Sequence, residues 1–178
     1  MNFLVYSSDG RPSVRPDSSR CKDNGDYYVP DGIRELEYTA VVYARMCRSG
    51  KAIGAEFAQR YYDAVGMGIL IYPDGETIYD RTSLLPMPLY NPITLEQENN
   101  IFRATKDGKQ MFSFNTVGMK AVIEKAIVGC SLNTTIRKGD FVIAELAPAQ
   151  RLCSFDDGGC RLNATFCNNE TIDMEVKF

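Results

Sequence analysis

A chain of 178 residues that is 44% hydrophobic and 24% charged has the balance of a globular protein, long enough to bury a core without covalent staples. The formal net charge is -3 with both signs spread along the sequence, so no basic patch is offered to a phosphate backbone and nucleic acid is not expected as a partner. There is no histidine, which excludes imidazole as general base or metal ligand, and with it Ser-His-Asp, Cys-His and HExxH chemistry; carboxylate, lysine or carboxylate–metal chemistry remains.

Residues 1–33 read as a loop-rich opening segment, with short extended pieces at Phe3–Tyr6 and Tyr27–Val29 and turn signals at Asp9-Gly10, Arg15-Pro16-Asp17 and Asn24-Gly25. The N-terminal MNFLVYSSDGRP lacks the charged region of a secretory signal, and no apolar run reaches the roughly 18 residues of a membrane span, so a cytoplasmic protein without membrane contact is expected. Six cysteines, with neither a CxxC pair nor metal-finger spacing, read as free thiols of a reducing compartment.

Tyr38–Arg45 is dense in β-branched and aromatic residues and predicts a strand. A turn follows at Ser49-Gly50-Lys51. Glu56–Ala64 then has helical spacing, and Val65–Tyr72 is a second apolar strand opened by Gly66 and Gly68. This strand-helix-strand unit is the scaffold on which an active site would be built. Pro73-Asp74-Gly75 predicts a turn and Glu76–Tyr79 a short strand. Three prolines among Leu84–Pro92 mark an extended connector. Ile101–Phe114 reads as a hairpin about Asp107-Gly108, and Thr116–Val128 as an amphipathic helix. Phe141–Leu146, Arg161–Cys167 and Ile172–Phe178 complete the strands. About eight strands and two main helices place the chain in the α+β class, strand-dominated.

In this order the parts resemble the fumarylacetoacetate hydrolase family over nearly the whole chain. Arg15-Pro16-Asp17-Ser18-Ser19 is similar to the family's lysine-proline-aspartate-serine motif, Phe57–Ala64 to the helix before its metal-binding strand, and Lys138-Gly139-Asp140-Phe141-Val142 to the signature before its threonine-glycine-threonine-proline loop. Arg161–Phe178 fits its closing hairpin. The resemblance implies a single domain over 1–178, with a mixed β-roll or sandwich and a shortened active-site connector over 73–100. It also implies C–C bond hydrolysis, isomerisation or decarboxylation of a small 2-oxo or 1,3-dicarbonyl acid with carboxylate-bound Mg²⁺ or Mn²⁺, and pairing as a homodimer.

The ligand set the resemblance implies is two glutamates alternating on one strand face and an aspartate on the neighbouring strand, hard oxygen donors suited to Mg²⁺ or Mn²⁺. Gapless alignment from the Arg60-Tyr61-Tyr62-Asp63-Ala64 segment places these three positions on Thr39, Val41 and Leu70, which cannot hold a divalent cation. The family's substrate threonine loop falls on Ala144-Glu145-Leu146-Ala147. The expectation is a catalytically inactive pseudoenzyme acting by binding or assembly, with no cofactor and no catalytic residue. The alternative is an active metal enzyme with ligands moved to Glu35, Glu37 and Asp74. In the metal-free reading Arg15, Asp17, Glu37 and Leu146 line a vestigial pocket for a small carboxylic acid, although Arg15 with Asp17 also reads as a surface ion pair.

Overall fold

In the computed structural model, residues 1–21 and 25–178 are described, so Asn24 of the Asn24-Gly25 turn signal lies outside the described residues. The strands are β1 (Phe3–Tyr6), β2 (Pro12–Arg15), β3 (Arg20–Cys21), β4 (Tyr27–Tyr28), β5 (Glu35–Met46), β6 (Tyr62–Pro73), β7 (Ser83–Leu84), β8 (Ile101–Lys106) and β9 (Lys109–Asn115). After helix α1 (Met119–Ser131) come β10 (Phe141–Glu145), β11 (Gln150–Ser154), β12 (Cys160–Phe166) and β13 (Asn169–Lys177). The class is α+β with strands dominant.

One sheet runs in the order β2-β1-β10-β5-β6-β7-β3, and a second runs β4-β13-β12-β8-β9. β10 and β11 both pair with β5, β10 along Val41–Arg45 and β11 along Glu35–Tyr38. The chain steps out of the sheet between them and returns to the same neighbour. β5 and β6 are the long central ribbon, paired from Met46↔Tyr62 to Leu36↔Pro73. The ribbon is covered on both sides, which explains the near-continuous apolar run in each strand. Leu36, Tyr38, Ala40, Val42 and Ala44 face the larger core with Ile123, Ala126 and Ile127 of α1, while Val41 and Tyr43 face a second core with Phe3, Phe141 and Ile143.

Gly66 and Gly68 are what let that second core close. A Cβ on Gly66 would lie 2.4 Å from the Tyr43 ring, and one on Gly68 would lie 2.4 Å from the Leu84 carbonyl oxygen. The missing side chains admit the Tyr43 ring across β6, where its hydroxyl donates to the Pro86 carbonyl at 2.5 Å. They also let β7 dock against Ile69 and Leu70.

Two expectations need revision. The helix expected over Glu56–Ala64 is a 3₁₀ helix, Ala55–Arg60, and Tyr62, Asp63 and Ala64 belong to β6. Gly54 brings no capping side chain, and the Cys47 N–H donates to the Tyr61 carbonyl at 2.8 Å, so strand pairing captures these residues before an α-helix can propagate. Phe57 stays 44% exposed and Ala58 takes the buried position. Glu76–Tyr79 forms no strand; the Glu76 N–H closes a turn onto the Pro73 carbonyl and Ile78 is 70% exposed. β2, β3, β7 and β11 were not anticipated. The Asp107-Gly108 hairpin forms, with both residues at positive φ as a type I′ turn needs.

Candidate functional site

The positions implied for a metal site, Thr39, Val41 and Leu70, lie together on one face of the β5–β6 ribbon. Thr39 is the cross-strand partner of Leu70, and Val41 that of Gly68. None is more than 2% exposed. Val41 and Leu70 pack with Phe3, Val5, Tyr43 and Leu85, and the Thr39 hydroxyl donates to the Ala147 carbonyl at 2.7 Å, tying the chain between β10 and β11 to β5. An isopropyl group, an isobutyl group and a committed hydroxyl supply no hard oxygen cage. Sliding the register by one residue is no remedy, because the opposite face of the ribbon presents Leu36, Tyr38, Ala40 and Ile71.

The carboxylates of this ribbon sit at its ends. Asp63 is paired with Arg45 at 3.0 Å. At the other end Glu35, Glu37 and Asp74 do come together, bordering a hollow of about 380 Å³ with Gly75. Two of them are already engaged. Glu35 lies 3.0 Å from the Arg151 guanidinium. Asp74, at a positive φ of 47°, accepts from the N–H groups of Glu35 at 2.9 Å and Arg34 at 3.2 Å. A divalent cation here would have to compete with Arg151 for Glu35 and share Asp74 with two backbone donors, leaving Glu37 as the ready ligand. Among the described residues no group of three or more acidic or sulfur side chains has the arrangement of a metal cage. The donor set does not fit the Mg²⁺ or Mn²⁺ that the resemblance implies.

Arg15, Asp17, Glu37 and Leu146 are not brought into one pocket. Arg15 is 1% exposed, with its guanidinium 4.3 Å above the Tyr72 ring centre. It donates to the Ile71 carbonyl and to the Thr82 hydroxyl, both at 3.1 Å. The Tyr72 hydroxyl in turn donates to the Glu145 carboxylate, which also takes the Ser8 N–H at 3.1 Å. Burial pushes the Arg15 guanidinium pKa down and that of the Tyr72 hydroxyl up, so the tyrosine stays a neutral donor. Asp17 is exposed in the first turn of a 3₁₀ helix, Asp17–Ser19, and makes no ion pair with Arg15. Arg15 is thus a buried structural cation that donates to the Ile71 carbonyl and the Thr82 hydroxyl, with its Nε buried and unpaired among the described residues.

Leu146 lies on the other side, at an apolar cavity of about 390 Å³ between the ribbon and β9. Tyr38, Met111, Phe112, Phe114 and Met119 form its walls with Leu146, and no charged side chain lines it. The sequence signal for this cavity was the aromatic alternation of Gln110-Met111-Phe112-Ser113-Phe114, which reads equally well as ordinary core.

No known family profile matches the sequence, and no curated protein matches it. Solved structures do. A Yersinia pestis protein described as belonging to the fumarylacetoacetate hydrolase family superposes with a TM-score of 0.79 at 12% identity, covering 98% of this chain and 91% of that one. The 5-carboxymethyl-2-hydroxymuconate delta-isomerase of Mycobacterium smegmatis gives 0.78 at 12% identity over 99% and 78%. The fumarylpyruvate hydrolase of Pseudomonas aeruginosa, solved with Mn²⁺ and pyruvate, gives 0.77 at 12% identity over 100% and 90%. The chain therefore has the fold of fumarylacetoacetate hydrolase-family hydrolases and isomerases, carried by a sequence that shares about one residue in eight with them.

Proposed function

We propose that this chain is a divergent fumarylacetoacetate hydrolase-family protein that has lost the metal–carboxylate chemistry and acts by binding or assembly. One observation carries the reading. The central ribbon, where such chemistry would be built, keeps its carboxylates only at its ends, with Glu35 held by Arg151, Asp74 by backbone N–H groups and Asp63 by Arg45. Its interior is apolar on both faces except for the Thr39 hydroxyl, which donates to the Ala147 carbonyl. A homodimer in a reducing, cytoplasmic setting is the assembly this reading favours. The outer edges of β2 and β9, the end strands of their sheets, give a second copy somewhere to pair.

The competing reading is an active divalent-metal hydrolase, isomerase or decarboxylase of a small oxo acid, favoured by the common hollow of Glu35, Glu37 and Asp74. Titration with Mg²⁺ and Mn²⁺ by calorimetry, together with assays on an acylpyruvate and on oxaloacetate, separates the two. The expected outcome is no saturable metal binding in the micromolar range and no turnover. Micromolar Mn²⁺ binding that disappears in a Glu35→Ala/Glu37→Ala double variant, or metal-dependent turnover of either acid, overturns the non-catalytic reading. Light scattering at several concentrations tests the dimer; a strictly monomeric mass would remove it.

A further inference from the structure

The cavity at Leu146 differs in kind from the acidic hollow at Glu35. From its walls we infer that it is a binding site for a flat, uncharged ring compound carrying a hydrogen-bonding group at one edge. This rests on the non-catalytic reading only in that the ligand is bound and released unchanged. About 390 Å³ is within the range of small-molecule pockets.

The shape of the walls argues for a flat occupant. The rings of Tyr38 and Phe112 stand with centres 6.3 Å apart and planes 21° from parallel. Phe114 continues the surface, 5.5 Å from Phe112 at 34°. The near-parallel Tyr38 and Phe112 rings form an offset stack that a further flat ring can extend, with the tilted Phe114 ring beside it. Met111 and Met119 flank it with unbranched, polarizable side chains that adapt to an irregular outline. Phe112, Phe114, Met111, Met119 and Leu146 are all only half-buried, so a good part of their apolar surface is left for a ligand to cover.

The polar groups argue for where a single functional group would go. The Tyr38 hydroxyl makes no hydrogen bond with any described residue, and burial raises its pKa, so it remains a protonated donor. Gln150, the direct cross-strand partner of Tyr38, is exposed and lines the same cavity, which gives the lining a second polar group. Asn115, the other amide in the lining, is already committed, donating to the Glu98 carbonyl and accepting from the Val117 N–H at 2.6 Å. An anion would enter a lining with no cation to meet it and would bear the full cost of lost hydration. The chemistry selected is therefore neutral and aromatic, unlike the acids acted on by the neighbours whose fold it shares.

The test uses 1-naphthol as the probe and its anionic relative 1-naphthoate as the contrast, added to the full chain with methionine methyl groups labelled with ¹³C for NMR. The seven methionines report position. On adding 1-naphthol, the Met111 and Met119 methyl signals shift while those of Met46 and Met67, buried away from the cavity lining, hold still. The dissociation constant is expected on the order of 10 μM. 1-Naphthoate binds about tenfold more weakly or less. Leu146→Trp, which fills the cavity from a half-buried position, weakens 1-naphthol at least about tenfold, and the conservative Tyr38→Phe weakens it about threefold to tenfold while the same two methyls still respond. No shift at Met111 and Met119 up to millimolar 1-naphthol overturns the site, as does equal affinity for 1-naphthoate or unchanged binding in Leu146→Trp. Any of these results leaves the non-catalytic reading standing. Metal-dependent turnover of an acylpyruvate would overturn that reading and leave the cavity assignment untouched.

Discussion

The two faces of the β5–β6 ribbon are built from alternate residues of the same strands, yet one is solid and the other is hollow. On the solid face Val41, Tyr43 and Leu70 meet Phe3, Phe141 and Ile143, and the glycines at 66 and 68 let Tyr43 and the Leu84 carbonyl fill the remaining space. On the hollow face Tyr38, Ala40, Phe112 and Phe114 border a cavity of about 390 Å³. The difference teaches that chemistry in this fold depends on the volume left beside the ribbon as much as on ligand identity. Around Val41 and Leu70 there is neither an oxygen ligand nor room for an ion and its waters, and the Thr39 hydroxyl is committed to the Ala147 carbonyl. In the cavity walled by Phe112 and Phe114 there is room but no charge.

The sharpest way to break this comparison is to put a carboxylate back on the solid face. Leu70→Asp places an unpaired charge among Val41, Phe3 and Leu85, at a position with no measurable exposure. A cost above about 4 kcal/mol is expected, enough to unfold a domain of ordinary stability. Circular dichroism should show loss of the cooperative thermal transition, and millimolar Mn²⁺ should not restore it. Rescue by Mn²⁺ would mean that the face can open around an ion, and the distinction between the two sides would fall.

Arg15 provides the next largest effect, and its sign depends on what replaces it. Its guanidinium seals the end of the solid face against Tyr72 and satisfies the Ile71 carbonyl and the Thr82 hydroxyl. Arg15→Ala loses packing and orphans those acceptors, for about 3 kcal/mol or roughly 10 °C in Tm for a chain of this length. Arg15→Met keeps the volume and removes the charge whose burial is itself costly, so it should recover at least half of that loss. If the two variants were equally destabilised, the charge and its bonds would dominate over filling.

How much of this could be read beforehand follows physical lines. The long strands, the Asp107-Gly108 hairpin and α1 were legible because β-branched density, turn chemistry and 3.6-residue periodicity are local signals. The period of two also predicts that Thr39 and Val41 share a face, and cross-strand pairing then brings Leu70 beside them. Closure of that face was not legible, since it depends on what a glycine in β6 lets Tyr43 and β7 do. The burial of Arg15 was hidden for a similar reason: its partners come from residues 71, 72 and 82, and nothing local to Arg15-Pro16-Asp17 distinguishes a locked cation from a surface one. The cavity joins Tyr38, Phe112 and Leu146, which only the sheet order brings together. The short 3₁₀ segment at Ala55–Arg60 misled because one or two turns cannot establish a helical period against a strand that begins directly after it.

The smallest effect tests the remaining acidic hollow, and there the sign matters more than the size. Glu35 and Arg151 are about half exposed and 3.0 Å apart, and Arg151 is additionally held by the Ser154 hydroxyl at 2.9 Å and by Asp157 at 3.2 Å. As a surface ion pair, Glu35 contributes no more than about 0.5 kcal/mol, screened by salt. Glu35→Gln should therefore lower stability slightly in low salt, and the loss should vanish near 1 M NaCl. A ligand cage without its ion behaves in the opposite way: Glu35, Glu37 and Asp74 would repel one another, so neutralising one of them would raise stability in the absence of metal, most strongly in low salt. Chemical denaturation of Glu35→Gln at two salt concentrations thus reads, from the direction of a small change, whether this end of the ribbon is a closed ion pair or an open site.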